Sequence, residues 1–309
     1  MQSVLDTAGP LAEHIARLFW IFAGVAAVVY LLVTGFLVHA LRRRREAGEA
    51  PRDTRHALRA VGVAVGATAF ILVGLALADF FAGRASTRAP GDAMRVRVTA
   101  HQWWWEIEYL DGTPSERVRT ANELHLPVGR PVALELISDD VIHSFWVPSL
   151  NGKKDLLPGY TTNLQLVASR AGVYPGQCAE FCGFQHAQMG LAVHAHAPED
   201  FVRWQSAQRQ ASPEPLDAVQ RRGRDLFMSS TCAQCHRVQG TEAAAVLGPD
   251  LTHVASRRQL AAGTLPNNPE AMASWIRDPQ RFKPGTRMPA SQLTGDDLSA
   301  LVSWLGSLR

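Results

Sequence analysis

Apolar positions along this chain change period twice. Residues 18–41 form an apolar run of 24 in which His39 is the only ionisable side chain, and residues 60–81 form a second run of 22 with one acid, Asp79. About 20 apolar residues make a helix long enough to cross the ~30 Å hydrocarbon core of a bilayer. A two-helix transmembrane hairpin is therefore predicted within residues 1–93, with helices over about 15–41 and 59–82. Trp20 and the Phe80-Phe81 pair sit toward the run ends, where aromatics are common at the membrane interface. After a Gly/Ala/Pro-containing linker the period falls to two. Met94, Val96 and Val98 alternate with arginines, and Val132, Leu134 and Leu136 repeat the pattern, as do Leu164 with Leu166 and Leu191 with Val193. Short alternating runs broken by Pro-Gly and Gly-Arg-Pro turns predict an antiparallel β-sandwich over 94–205. A Pro-Glu-Pro linker then leads into an all-α pattern over 216–309.

Charge orients the apolar helices. Arg42, Arg43, Arg44, Arg45, Arg52, Arg55 and Arg59 crowd the connection between them, whereas Arg17 alone precedes the first. The positive-inside rule puts that connection in the cytoplasm and the long C-terminal part outside. A cleaved signal peptide has the opposite order, basic residues first and a short apolar core after. The formal charge of +3 is too small for a nucleic-acid footprint.

The chain has four cysteines in two close pairs. Cys178, Cys182, His186 and Met189 fall near the end of the predicted sandwich, and His143 stands apart in Asp140-Val-Ile-His-Ser-Phe-Trp-Val-Pro148. Thiolate, imidazole and thioether are the soft-to-borderline donors that copper prefers. Zinc could take the two cysteines and two histidines, which leaves Met189 idle. A disulfide between Cys178 and Cys182 is the other alternative, although so small a loop gains little chain entropy. His194 and His196 fall on the strand face opposite Leu191 and Val193 and are expected to meet solvent. His125 is given no ligand role. In the C-terminal part, Cys232-Ala-Gln-Cys-His236 is the c-type haem attachment signature.

The segment Gln177-Cys-Ala-Glu-Phe-Cys-Gly-Phe-Gln-His-Ala-Gln-Met189 resembles the dinuclear copper (CuA) loop of cytochrome c oxidase subunit II. Asp139-Asp-Val-Ile-His-Ser-Phe-Trp-Val-Pro148 and His101-Gln-Trp-Trp-Trp-Glu-Ile-Glu-Tyr109 resemble that family's first-histidine segment and aromatic stretch. The resemblance implies a cupredoxin-like sandwich in which Cys178 and Cys182 bridge two coppers. His143 and His186 would each bind one metal, with Met189 and the Glu180 carbonyl completing the set. It also implies electron uptake through Trp103, and magnesium held by the Glu180 carboxylate where a catalytic subunit docks. The chain departs from the family in Asn151-Gly-Lys-Lys-Asp155 and in Tyr160, which stands where an arginine is usual.

The last region resembles class I cytochromes c. By that resemblance Cys232 and Cys235 attach haem c, and His236 and Met288 (in Lys283-Pro-Gly-Thr-Arg-Met-Pro289) are its axial ligands. The carbonyl of Pro249 would orient His236, and Gly223 and Phe227 would meet Leu301, Trp304 and Leu305 where two helices cross. Met272 is expected in the core, and His253 is the alternative axial residue. Together the resemblances imply subunit II of a haem-copper terminal oxidase of the caa type in a bacterial inner membrane, with both redox domains outside the cytoplasm. It would carry electrons from an upstream cytochrome or other donor to catalytic subunit I, which reduces oxygen and translocates protons. The alternatives are the small subunit of a CuA-containing nitric-oxide reductase and a stand-alone membrane-anchored electron carrier.

Overall fold

A computed structural model describes residues 2–42, 54–87, 89–113 and 116–309. The two apolar runs are helices, α1 (Pro10–Arg42) and α2 (Thr54–Thr87). Both outrun the predicted limits, because helical hydrogen bonding continues through flanking polar turns that carry no apolar signal. Pro10 opens α1, where its missing N–H costs nothing. Phe36 and Phe70 are each 80% exposed, and neighbouring leucines and valines are bare as well. Apolar surface on that scale marks an interaction surface rather than one for water, and with their length it suggests membrane anchoring by these helices. Arg43, Arg44, Arg45 and Arg52, on which the orientation rests, lie outside the described residues.

Among the described residues the sandwich region holds ten strands. These are β1 (Met94–His101), β2 (Trp104–Tyr109), β3 (Arg119–Ala121), β4 (Glu123–Pro127), β5 (Val132–Ser138), β6 (His143–Trp146), β7 (Lys154–Leu156), β8 (Thr162–Leu166), β9 (Gly172–Cys178) and β10 (Gly190–His196). They form two five-stranded sheets, ordered β3-β2-β1-β5-β8 and β4-β10-β9-β6-β7. Val96, Val98, Trp105, Ile107, Leu124, Leu126, Leu134, Leu136, Phe145 and Val193 point into the shared core. Alternation alone suggests antiparallel pairing throughout, yet β1 pairs with β5 and β4 with β10 in parallel. A period of two reports which face is buried and says nothing about the direction of the neighbour. Residues before α1 strap onto the sandwich: Ala8 N–H donates to Ser149 and Ser169 N–H donates to Ala8, each at 2.7 Å.

Helix α3 (Pro198–Gln208) covers the outer face of β4 and β10. This corrects the solvent-facing expectation for His194, which is 7% exposed, as is His125 at 8%. Trp204 of α3 stacks on His125 at 4.0 Å, and His125 stacks on His194 at 4.6 Å. His196 stays half-buried, with Nε2 2.8 Å from His125 Nδ1. The sequence pattern had no means of showing that a helix would lie over this face.

The C-terminal region is helical: α4 (Ala218–Ser229), α5 (Cys232–Cys235), α6 (Pro269–Arg277), α7 (Pro279–Phe282) and α8 (Gly295–Leu305), with one two-residue pair, β11 (Gln259–Leu260) and β12 (Leu265–Pro266). The Asp217 side chain caps α4 by accepting from Gln220 N–H. Helices α4 and α8 cross at Gly223, where a Cβ would lie 2.1 Å from the Ala300 carbonyl oxygen. One turn on, the rings of Phe227 and Trp304 meet at 5.1 Å. Met272 is buried in this core with Val238, Ile276 and Leu301.

Candidate metal and haem centres

Strands β6 and β9 are antiparallel neighbours with Phe145 opposite Cys178, which sets His143 near the strand-end cysteine. The loop after β9 then returns to β10. Cys178 N–H closes it by donating to the Met189 carbonyl at 3.0 Å. Inside the loop the Cys178 and Cys182 sulfurs lie 3.8 Å apart, far beyond a disulfide bond of ~2.05 Å. His143 Nδ1 is 3.8 Å from Cys178 Sγ, and His186 Nδ1 is 3.6 Å from Cys182 Sγ. Met189 Sδ is 3.9 Å from Cys182 Sγ, and the Glu180 carbonyl is 3.2 Å from Cys178 Sγ. All six residues expected from the sequence therefore converge, and His143, Cys178, Cys182 and Met189 are buried.

The electrostatics of this cluster favour a cation. Two thiols so close cannot both ionise without one. Hydrogen bonding from Cys182 pushes the Cys178 thiol down, helped by His143, while Cys178 and burial push Cys182 up. His143 is also aimed from behind. Its Nε2 lies 2.8 Å from Asp140 Oδ1, and a carboxylate can only accept, so Nε2 carries the proton and Nδ1 offers its lone pair to the thiols. Backbone N–H groups of Gln102 and Val141 hold Asp140 in turn. Asp140 is not among the residues the ligand motif marks, and its only signal in the sequence is an acid three residues before His143.

Trp103 lies against this loop with 6% exposure, and its Nε1–H donates to the Cys182 carbonyl at 2.9 Å. Gln102 Nε2 donates to the same oxygen at 2.8 Å. Trp105 is the core tryptophan, and Trp104 stacks on His101 at 4.3 Å. The Glu180 carboxylate is half-exposed and sits 3.8 Å from Lys153 Nζ. No second acid or histidine joins it in a cluster among the described residues. Glu123, His125 and His194 do form a buried cluster, with Glu123 Oε2 3.7 and 3.8 Å from the two imidazoles. The rings lie within 7° of parallel, so their lone pairs do not converge on one ion.

In the helical region Cys232 and Cys235 are half-buried free thiols on one helical turn. His236 Nδ1 lies 2.8 Å from the Pro249 carbonyl, which only accepts, so Nε2 keeps its lone pair. Burial holds the ring below the ordinary imidazole range. Gly248 is required at this spot, since a Cβ there would come within 2.7 Å of His236 Cε1. Met288 is half-buried against the helical core, and Gln280 Nε2 donates to its carbonyl at 3.3 Å and to that of Thr286 at 2.7 Å. His253 is buried with neither ring nitrogen bonded, and Arg257 Nε and Trp304 Nε1 also lack partners. A free cysteine pair on one helical turn, followed directly by an imidazole whose Nε2 keeps its lone pair, fits a covalently held haem.

Comparison with known proteins finds two family profiles in separate stretches of the chain. The family profile "Cytochrome C oxidase subunit II, periplasmic domain" matches residues 113–196, and "Cytochrome c" matches residues 220–309. The chain is 34% identical to cytochrome c oxidase subunit 2 of Alkalihalophilus pseudofirmus, covering 99% of this chain and 91% of that protein. It is 34% identical to cytochrome c oxidase subunit 2 of Bacillus sp. PS3, covering 69% of this chain and 62% of that protein. The solved periplasmic domain of cytochrome oxidase subunit II from Bradyrhizobium japonicum shares 26% identity over 40% of this chain and 97% of that one, with a TM-score of 0.37.

Proposed function

Because the chain belongs to the cytochrome c oxidase subunit 2 family, we propose that it is the electron-delivering subunit of a caa-type haem-copper oxidase. The observation that carries this reading is the cluster of two free buried thiols with His143, His186 and Met189 around them and the Trp103 N–H on the Cys182 carbonyl. Cys178, Cys182, His143, His186, Met189 and the Glu180 carbonyl would hold a dinuclear copper centre. Two sulfurs 3.8 Å apart can both reach one metal at a thiolate bond of ~2.3 Å, which supports sharing. Cys232 and Cys235 would bind haem c covalently, with His236 and Met288 on its iron. When bound, these groups would supply one-electron chemistry, by which the chain would deliver electrons to a catalytic subunit that reduces oxygen and translocates protons.

The chain's own residues hold that chemistry in place. Asp140 fixes the tautomer and angle of His143, and Pro249 does the same for His236. The core packing around Trp105 and Phe145 excludes water from the thiols. His/Met ligation raises a haem potential relative to two histidines, which suits a donor to copper. Magnesium at Glu180 would need ligands from the catalytic subunit, since Lys153 is its nearby charge here. We assign residues 1–93 to a bacterial plasma-membrane anchor, 94–205 to the copper domain and 216–309 to the cytochrome, both outside the cytoplasm. The test is purification of the native assembly with oxygen and nitric-oxide uptake measured side by side. Oxygen uptake fed through this chain is expected. Nitric-oxide turnover alone, or a chain that emerges without a catalytic partner, would overturn the reading.

A further inference from the structure

One lysine on the cytochrome side is spent on the copper side. Lys283 follows α7 and is 2% exposed. Its ammonium donates to three backbone carbonyls: Trp103 at 2.8 Å, Gln188 at 2.9 Å and Ala261 at 3.2 Å. An ammonium has three donors and no acceptor, so these three carbonyls satisfy it. Two of the acceptors lie 180 and 95 residues away in the sequence and belong to the copper domain. They are Trp103 itself and the residue immediately before Met189.

A buried ammonium without a carboxylate partner is costly, and an apolar residue would fill a core position at less cost. What the lysine adds is a fastening between three separate backbone segments. The residues after it continue the contact. Gln185 Nε2 donates to the Pro284 carbonyl at 2.8 Å. At Gly285, whose φ of +87° suits glycine, a Cβ would lie 3.4 Å from Trp103 Cη2. Met288 follows three residues later. The loop that carries the expected axial methionine is thus pinned to the tryptophan lying over the thiols.

We propose that Lys283 is a positioning residue for haem-to-copper electron transfer, seating the Met288 loop against Trp103 and the Met189 loop. This rests on the function proposed above. Each transferred electron would leave the haem iron and enter the copper pair, and Lys283 is neither oxidised nor reduced. The lysine does not touch the metals. It holds the two domains in one arrangement, so that transfer does not wait on a search.

The test is Lys283→Met in the full membrane assembly, with haem-to-copper transfer followed after flash reduction of the haem. About tenfold slower transfer is expected, the change that ~1.4 kcal/mol makes in the docked fraction. The copper EPR signal, the methionine-ligation band of the ferric haem and onward transfer from copper should be unchanged. Unchanged transfer overturns the proposal. So does slow transfer accompanied by an altered copper or haem spectrum, since Lys283 would then act on the centres and not on docking. If Lys283→Met assembles without its metals, Lys283→Gln, which keeps two donors, is measured in the same way. Absence of haem-to-copper transfer in the unaltered protein would refute the proposed function instead, so the two failures are distinguishable.

Discussion

Replacing Gly223 with alanine places a Cβ 2.1 Å from the carbonyl oxygen of Ala300, 2.7 Å from its carbon and 2.8 Å from Trp304 Cβ. Attractive contact begins near ~3.5 Å, so α4 and α8 must part by more than about 1 Å. The obstruction is the backbone of a second helix, and no rotamer change relieves it. Overpacking costs about 1–3 kcal/mol, and a rigid obstacle belongs at the upper end. Alanine regains about 1 kcal/mol of helix propensity over glycine, which leaves a net loss of about 2 kcal/mol. For a region of this size that corresponds to a fall in Tm of roughly 8–16 °C. The assay is thermal unfolding of the haem-loaded chain followed at the haem absorption, with loosened Phe227–Trp304 packing read from near-ultraviolet circular dichroism. A Tm that stays or rises would mean that the helices do not cross at Gly223, and the account of the cytochrome core would fall with it.

Two further outcomes follow from the copper domain. Asp140→Ala leaves His143 Nε2 without its 2.8 Å acceptor, and copper retention against a competing chelator should weaken about 10–100-fold. Retention equal to the unaltered protein would show that the carboxylate does not aim the ligand. Burial, then the neighbouring His125, lowers His194 from 6.5 to about 4. Its neutral form is favoured by the fold, so the stability it contributes is full above pH 6.5 and is lost as pH falls toward 4, by about 3 kcal/mol. Glu123 and His125 are also lowered, and both shifts act in the same direction with acid. Tm measured between pH 7 and pH 4 should fall, and His194→Leu should flatten that slope. An equally steep fall in the variant would place the acid sensitivity elsewhere.

The parts of this protein that the sequence made legible are those encoded by neighbours in the chain. The apolar runs fix α1 and α2, and the spacing from Cys178 to Met189 closes a loop whose sulfurs meet within 3.9 Å. His236 and Pro249 likewise lie 13 residues apart and meet. What stayed hidden depends on distant segments arriving. His194 looked exposed because alternation places it opposite Val193, and α3, which covers it, leaves no mark on the strand. Lys283 has no mark in the sequence beyond its place in the Met288 segment, because its acceptors are backbone carbonyls, which no side-chain pattern reveals. The parallel partners of β1 and β4 are invisible for a similar reason, since inward-facing residues look alike whichever way the neighbour runs.

The proposed function requires Cys178 and Cys182 to hold two coppers between them while Cys232 and Cys235 carry a haem in the same chain. Metal analysis, haem quantification and EPR on one purified sample test it directly. Two coppers per chain sharing one unpaired electron are expected, together with one haem that stays attached under denaturing conditions. Zinc in the thiol site, a single copper, or haem that washes out on denaturation would contradict it.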